Sequence, residues 1–506
     1  MAFPSISIQK NNFINMQNKQ LYKYLFLLAM VSASSAWLFD FDFDFRFLQQ
    51  CPADAPNSID TIAFCPDLLE VKLADLPKPY ATVSATKFST TIPMPADAVL
   101  NVPKGFAVNV FTDGLNTPRW LALTPDNNVL VSTPATNSIY LLKDTDGDGS
   151  VDETVQFAGP DNNITEASGM LFTDGYFYLA NTDSIARYNY TVGQENITGT
   201  GEIIATFPGG GNHWSRNIKL SPNGTKIFLG VGSATNVDIE DAPRARVDVM
   251  NLDGSDFQAF VTGTRNPNGL AFHPVTGDLY TVVNERDELG DNLVPDYFTR
   301  IQQGEFFGWP YAYLSPDNID PRHVDNTTGK SVDPELAART VTPDVLFQAH
   351  SALLDLAFYT GDTFPECYRT GAFVTSHGSW NRDSGTGYKI AYVEFGSDNR
   401  PLGTYEDFLT GFLTDPSGPT TWARPVSLLV LPDGSLIFTD DAGGRIFRVQ
   451  YQGEECGAQA SYGENEEDNG EYEYDNGEGN GENGENGESV ITIIDGEGGK
   501  TCGCSI

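Results

Sequence analysis

The chain has 506 residues, with 30 Lys and Arg against 68 Asp and Glu, a formal net charge of −38, 40% hydrophobic residues, 12% aromatic residues and 49 glycines. So acidic a balance excludes a nucleic-acid partner, which needs a basic footprint for the phosphate backbone. The apolar fraction is enough for a large core, and the aromatic and glycine content points to a turn-rich β protein rather than a helical one.

Residues 1–36 read as an export signal. Lys19 and Lys23 precede the apolar run Leu25–Val31, and small residues follow at Ser32–Ala36. That run is too short to span a bilayer, and no other segment reaches about 18 apolar residues, so no membrane partner is expected. Five Asn-x-Ser/Thr sequons begin at Asn163, Asn189, Asn196, Asn223 and Asn326. Behind an export signal they predict a glycosylated, extracellular protein. The six cysteines are Cys51, Cys65, Cys367, Cys456, Cys502 and Cys504. An even number in an exported chain favours disulfides over thiol chemistry. Cys51–Cys65 is the most local pairing, although spacing alone leaves the connectivity open.

Residues 37–94 read as an irregular leader. From 95 to 456 one phrase recurs six times: an apolar run, a turn, a second apolar run. It begins near Trp120, Gly169, Asn217, Gly269, Leu353 and Val426. Each phrase predicts two strands joined by a hairpin turn, such as Pro432-Asp433-Gly434. The early spacing of about 50 residues suits the blade of a propeller. The predicted fold is therefore all-β, a six-bladed β-propeller, with Phe106–Thr112 pairing with the last blade to close the ring and hide its edges. Residues 457–506 are dominated by Gly, Glu and Asn. Such a composition cannot bury enough apolar surface to offset chain entropy, and a disordered acidic tail is expected.

Residues beside the innermost strand of each blade meet at one mouth of the channel although they are distant in sequence. Arg119, Arg216, Arg265 and Arg424 hold such positions, with His213, His377 and Trp380 nearby. Arginines stay charged and repel one another unless each has a local carboxylate or they share a multivalent anion. The second alternative describes a small polyanionic ligand, with Trp120, Trp214 and Trp380 as apolar surfaces beside it. A cleft histidine such as His213 suits general-base work. His273, in a turn, is expected to be exposed.

Two segments suit a hard cation. Asp144, Asp146, Asp148 and Asp152 follow the alternating oxygen spacing of a Ca²⁺ loop with Gly149 at its turn, but position twelve is Val155, so the loop is no EF-hand. The segment Asn284–Asn292 follows a strand directly and reaches the channel mouth near Arg265.

Taken together, Asn212-His213-Trp214-Ser215-Arg216-Asn217, Arg265-Asn266-Pro267-Asn268-Gly269-Leu270, Asn284-Glu285-Arg286-Asp287 and Ser376-His377-Gly378-Ser379-Trp380-Asn381-Arg382 resemble the soluble quinoprotein glucose/sorbosone dehydrogenases. Within that family they are most similar to the fungal pyranose dehydrogenases that use pyrroloquinoline quinone. The similarity covers roughly residues 95–452. The resemblance implies pyrroloquinoline quinone over the channel, with Ca²⁺ beside it, and a sugar as substrate. It implies His213 as general base, with Arg216 and Arg265 positioning the cofactor and stabilising its reduced oxygens. Asn217, Asn266, His377, Trp380, Arg424 and Arg119 become further pocket residues, and backbone oxygens of Asp287 and Glu288 face the catalytic calcium. Arg286 and Asp287 after Glu285 match the sorbosone-type branch, which points away from glucose. Electrons are expected to pass to an external acceptor, a cytochrome among the candidates. A calcium-dependent propeller lactonase or esterase and a non-enzymatic glycan-binding propeller are the alternative readings.

Overall fold

A computed structural model describes residues 55–453 and the pair Thr492–Ile493. All six phrases fold as antiparallel hairpins. Their strand pairs are Leu121–Leu123 with Val129–Thr133, Met170–Thr173 with Tyr176–Ala180, Ile218–Leu220 with Lys226–Val231, Asn266–Phe272 with Leu279–Asn284, Leu353–Phe358 with Ala372–Ser376, and Pro425–Val430 with Leu436–Asp440. Two further strands complete each unit, giving six sheets with a four-stranded antiparallel core. In the sixth sheet the fourth strand is Phe106–Thr112, paired with Arg445–Tyr451 from the far end of the chain. The first strands of successive sheets touch in turn, and the first strand of the sixth sheet meets that of the first, so the contacts form a closed cycle.

The reason lies in the strand sequences. Val129–Thr133 and Ala372–Ser376 are buried at every position, because each sheet is covered on both faces by its neighbours. The apolar residues accordingly form clusters between adjacent sheets. Leu171, Tyr178, Ile218 and Ile227 join the second to the third, and Tyr280, Val282, Leu356 and Val374 join the fourth to the fifth. Burying each such side chain contributes roughly 1.5–3 kcal/mol. At Gly269 the first strands of the fourth and fifth sheets approach so closely that a Cβ would lie 2.7 Å from Asp355 Cα, which only glycine permits.

The leader is more regular than expected where it is described. Ser58–Phe64 pairs with Val99–Pro103 and with Phe106–Thr112, and Leu68–Glu70 pairs with Tyr405–Leu409, so two of the sheets grow to six strands. Ser58–Phe64 alternates exposed and covered residues, the period of a half-buried strand. In the tail, Thr492–Ile493 pairs with Leu69 and Glu70, a departure from disorder where the apolar run Val490–Ile494 interrupts the polar composition. The rest of the tail and the export signal lie outside the described residues. Cys65 and Cys367 are both disulfide-bonded, and no described cysteine is free. Among the described residues no helix is long and apolar enough to cross a membrane.

In an antiparallel hairpin the start of the first strand lies beside the end of the second. Residues preceding a first strand (Arg119, His213, Arg265, Arg424) therefore share one end of the sheets with residues at or just beyond the end of a second strand (Asn284–Asn292, His377–Arg382, Asp440–Asp441).

Candidate active site

His213 is held from one side only. Its Nδ1 lies 2.8 Å from the Ser233 carbonyl oxygen and 3.1 Å from Ser233 Oγ, which itself donates to the Thr235 carbonyl. A ring nitrogen facing a carbonyl must carry the proton, so Nδ1–H donates and Nε2 keeps its lone pair, with no partner among the described residues. Burial, reinforced by the Arg265 charge, pushes the imidazole pKa down to about 3. At neutral pH the ring is an uncharged base. Gly232 sets its position, because a Cβ there would lie 2.6 Å from His213 Cβ and 2.4 Å from Asn266 Oδ1.

Arg265 is buried and saturated with acceptors. It donates to Asp287 Oδ2 and Asn236 Oδ1 at 3.0 Å, to the Asn236 carbonyl at 3.0 Å and to the Glu285 carbonyl at 2.6 Å. Burial raises the Asp287 carboxyl, but Arg265 and the imidazole of His350, 3.4 Å away, outweigh it and hold the group below its ordinary range. Asn266 donates to Asn284 Oδ1, while its own Oδ1 is buried with no partner among the described residues.

The second half of the mouth comes from the fifth, sixth and first sheets. Asp441 accepts from Arg119 Nη1 at 2.5 Å and lies 2.9 Å from His377 Nε2. Arg424 donates to the carbonyls of His377 and Gly378 and forms no ion pair among the described residues. Burial, then Arg424, lowers the His377 pKa to about 4 against the pull of Asp441. The Arg119 guanidinium lies 5.2 Å over the ring of Trp214, the neighbour of His213, which links the two halves. Trp380 stacks on Phe88 of the leader, with ring centroids 5.4 Å apart.

Several expectations change. Arg216, expected to touch a cofactor, is completely buried and donates to the carbonyls of Pro208, His213 and Ser215. With no surface it cannot reach a ligand in this arrangement, and it pins the loop that carries His213. Asn217 supplies its carbonyl to Gly230 within the third sheet. The Asp287 backbone oxygen, expected to face a calcium ion, already accepts from Asn236 Nδ2 at 3.1 Å and from Arg286 Nε at 2.9 Å. Both lone pairs are used, one of them by a cation, so this oxygen does not suit calcium here. The Glu288 main chain donates to Asn381 Oδ1. In the acidic loop the carboxylates of Asp144, Asp146 and Asp152 lie within 4.8 Å of one another, and Asp148 is not among them. Trp120 is buried in the cluster between the first and second sheets. His273 is buried rather than exposed, its Nδ1 accepting from Val275 and Thr276.

Sequence reasoning missed Ser233, Asn236, His350 and Asp441. Asp441 had a signal: it follows a second strand, as the segment from Asn284 does. Asn236 and His350 sit in connecting segments and carry no such mark.

Comparison with known proteins agrees with this architecture. Residues 100–452 match the model of the TrAA12-like family, and the chain belongs to that family. It is 29% identical over 383 residues to an uncharacterized protein of Borreliella burgdorferi, covering 73% of this chain and 94% of that one. It is 24% identical to the pyrroloquinoline quinone-dependent sugar dehydrogenase of Hypocrea jecorina, covering 74% of this chain and 93% of that protein. It is also 24% identical to the pyrroloquinoline quinone-dependent pyranose dehydrogenase of Coprinopsis cinerea, covering 69% of this chain but only 54% of that protein, so it spans about half the length of that relative. Among solved structures, the holo form of the Coprinopsis pyranose dehydrogenase PQQ domain superimposes with a TM-score of 0.59 at 21% identity, covering 72% of this chain and all of that domain.

Proposed function

We propose that this protein is a secreted oxidoreductase, a six-bladed β-propeller that uses pyrroloquinoline quinone to oxidise a pyranose or related aldose and passes the electrons to an external acceptor. The observation that carries the reading is a neutral histidine, His213, with a free Nε2 in a mouth rich in guanidinium groups. The family relatives named as sugar dehydrogenases support it.

The residues present fit the cofactor. Pyrroloquinoline quinone carries three carboxylates. The mouth sets three guanidiniums, Arg119, Arg265 and Arg424, against two ion-paired carboxylates, Asp287 and Asp441. Arg119 Nε and Asn266 Oδ1 are buried polar atoms with no partner among the described residues. Bound there, the quinone supplies a two-electron acceptor for hydride. The chain's own part is to orient and to move the proton. His213 Nε2 takes the sugar hydroxyl proton, and the Ser233 carbonyl steadies the imidazolium that forms. Arg265, fixed by four acceptors, offers positive charge at no cost of reorganisation. Trp214, capped by Arg119, gives an apolar wall that limits water. Calcium remains a requirement suggested by the resemblance, and no step is assigned to it.

Export and glycosylation are supported by the two disulfide-bonded cysteines and by the exposure of all five sequon asparagines. A lactonase needs side-chain carboxylates around a central ion. Among the described residues the one such cluster lies in the loop Asp144–Asp152, at the outer part of the first sheet.

The test is titration of the purified protein with pyrroloquinoline quinone, with and without Ca²⁺, followed by dye reduction across a sugar panel. Saturable binding and sugar-dependent reduction are expected. Failure to bind the quinone under either condition overturns the proposal.

A further inference from the structure

The geometry points to a second proton-transfer pair in the same mouth, in which Asp441 positions His377 so that its Nδ1 accepts a proton separate from the one His213 takes. This inference deepens the dehydrogenase reading and rests on it. Oxidising an alcohol to a carbonyl removes two electrons and two protons. One proton would pass from the sugar hydroxyl to His213, while the carbon-bound hydrogen would leave as hydride to the quinone; that hydrogen would be released as the second proton when the two electrons pass one at a time to two equivalents of a one-electron acceptor. One imidazole holds one proton, and the mouth contains two uncharged imidazoles.

The two rings are built alike at the atom that matters. His377 Nε2 faces Asp441 Oδ1 at 2.9 Å, and a nitrogen facing a carboxylate carries the proton. Its Nδ1 has no partner among the described residues, so the lone pair there is free, as it is at His213 Nε2. The backbone of His377 is fixed at both ends: its N–H donates to Ala352 and its carbonyl accepts from Arg424. The charged groups facing the ring are Arg119, Arg424 and Asp441, and Asp440 lies behind them, accepting from the Arg424 N–H. Arg424 opposes protonation and Asp441 favours it, with burial on the side of Arg424, and the ring stays neutral until about pH 4.

Asp441 is thus a positioning residue, and Arg119 makes its effect directional. Arg119 can only donate. In Asp441→Asn the amide oxygen must turn to Arg119, which leaves the amide N–H facing His377 Nε2. That nitrogen must then accept, so the proton moves to Nδ1 and the free lone pair is lost.

The experiment is nitrogen-detected NMR of the five histidines in the cofactor-free protein at pH 6–8, with His377 assigned by its loss in His377→Gln. The wild type is expected to show His377 as the Nε2–H tautomer, Asp441→Asn as the Nδ1–H tautomer, and Asp441→Glu as the wild-type form. The other four histidine signals report whether each variant is folded, and the wild-type spectrum stands even where a variant fails. An Nδ1–H wild type, or an unchanged tautomer in folded Asp441→Asn, overturns the positioning role. In quinone-loaded protein, Asp441→Asn is expected to slow re-oxidation by a one-electron acceptor by about 10²-fold. Unaltered re-oxidation overturns the proton-acceptor role. If the loaded wild type oxidises no sugar, the dehydrogenase reading fails while the tautomer result stands.

Discussion

The two halves of the mouth reach the same protonation state by different means. On the His213 side a backbone carbonyl accepts the ring N–H, and Asp287 is spent on Arg265 and His350. On the His377 side a carboxylate accepts it, shared with Arg119. A carbonyl fixes the tautomer without adding charge, so His213 depends on burial and on Arg265 for its neutrality. A carboxylate fixes the tautomer and also stabilises the imidazolium, so at His377 burial, and after it Arg424, must offset that pull.

The largest expected effect breaks the symmetry outright. His213→Ala lowers sugar-dependent turnover by about 10²-fold or more while quinone binding, followed by absorbance, persists. Next is Arg216→Met, which keeps the volume but leaves three carbonyls without their buried donor. It should cost about 3 kcal/mol of stability in a urea melt, with quinone affinity of the folded fraction unchanged, in contrast to Arg265→Met, which weakens binding. Gly232→Ala should cost about 1–3 kcal/mol and lower turnover, because the new Cβ displaces His213 and Asn266 together. A stability loss without a turnover loss would show that the ring position is not tightly set.

The smallest effect is a slope with pH. Burial raises the Glu285 carboxyl to about 8, so the folded state binds a proton that the unfolded chain releases near 4.5. Its contribution is fully present below 4.5 and is lost as pH rises to 8, at most about 1.4 kcal/mol per pH unit. His213 and His377 act with the opposite sign: their folded pKa values are depressed, so stability is lost as pH falls from 6.5 toward 3. Between pH 6.5 and 8 the histidines fall silent, and thermal melts should show stability decreasing. Asp248, raised to about 7 by burial, adds to the lower part of that range. Glu285→Gln should flatten the slope.

Much of this was legible in the residues. The six hairpins and the closing strand follow from apolar runs separated by turn residues, because strand period and turn chemistry are local. His213, Arg265 and Arg119 could be placed at one mouth from their positions beside first strands. What could not be read depends on partners distant in the chain. Arg216 looks like a ligand contact because a carbonyl cage and an anion both call for a guanidinium. The Asp287 carbonyl looked open to calcium because Asn236, 51 residues earlier, gives no hint that it donates there. His273 reads as exposed from its turn, but its ring accepts two backbone N–H groups and packs against Phe358 and Phe395.

Single-turnover reduction of the quinone-loaded protein by a pyranose, compared in wild type and His213→Ala, tests the role of His213 most directly. The prediction is rapid reduction in the wild type, about 10²-fold or more slower in the variant, with equal quinone loading. Equal rates in the two proteins, or a wild type that takes up no quinone, would contradict it.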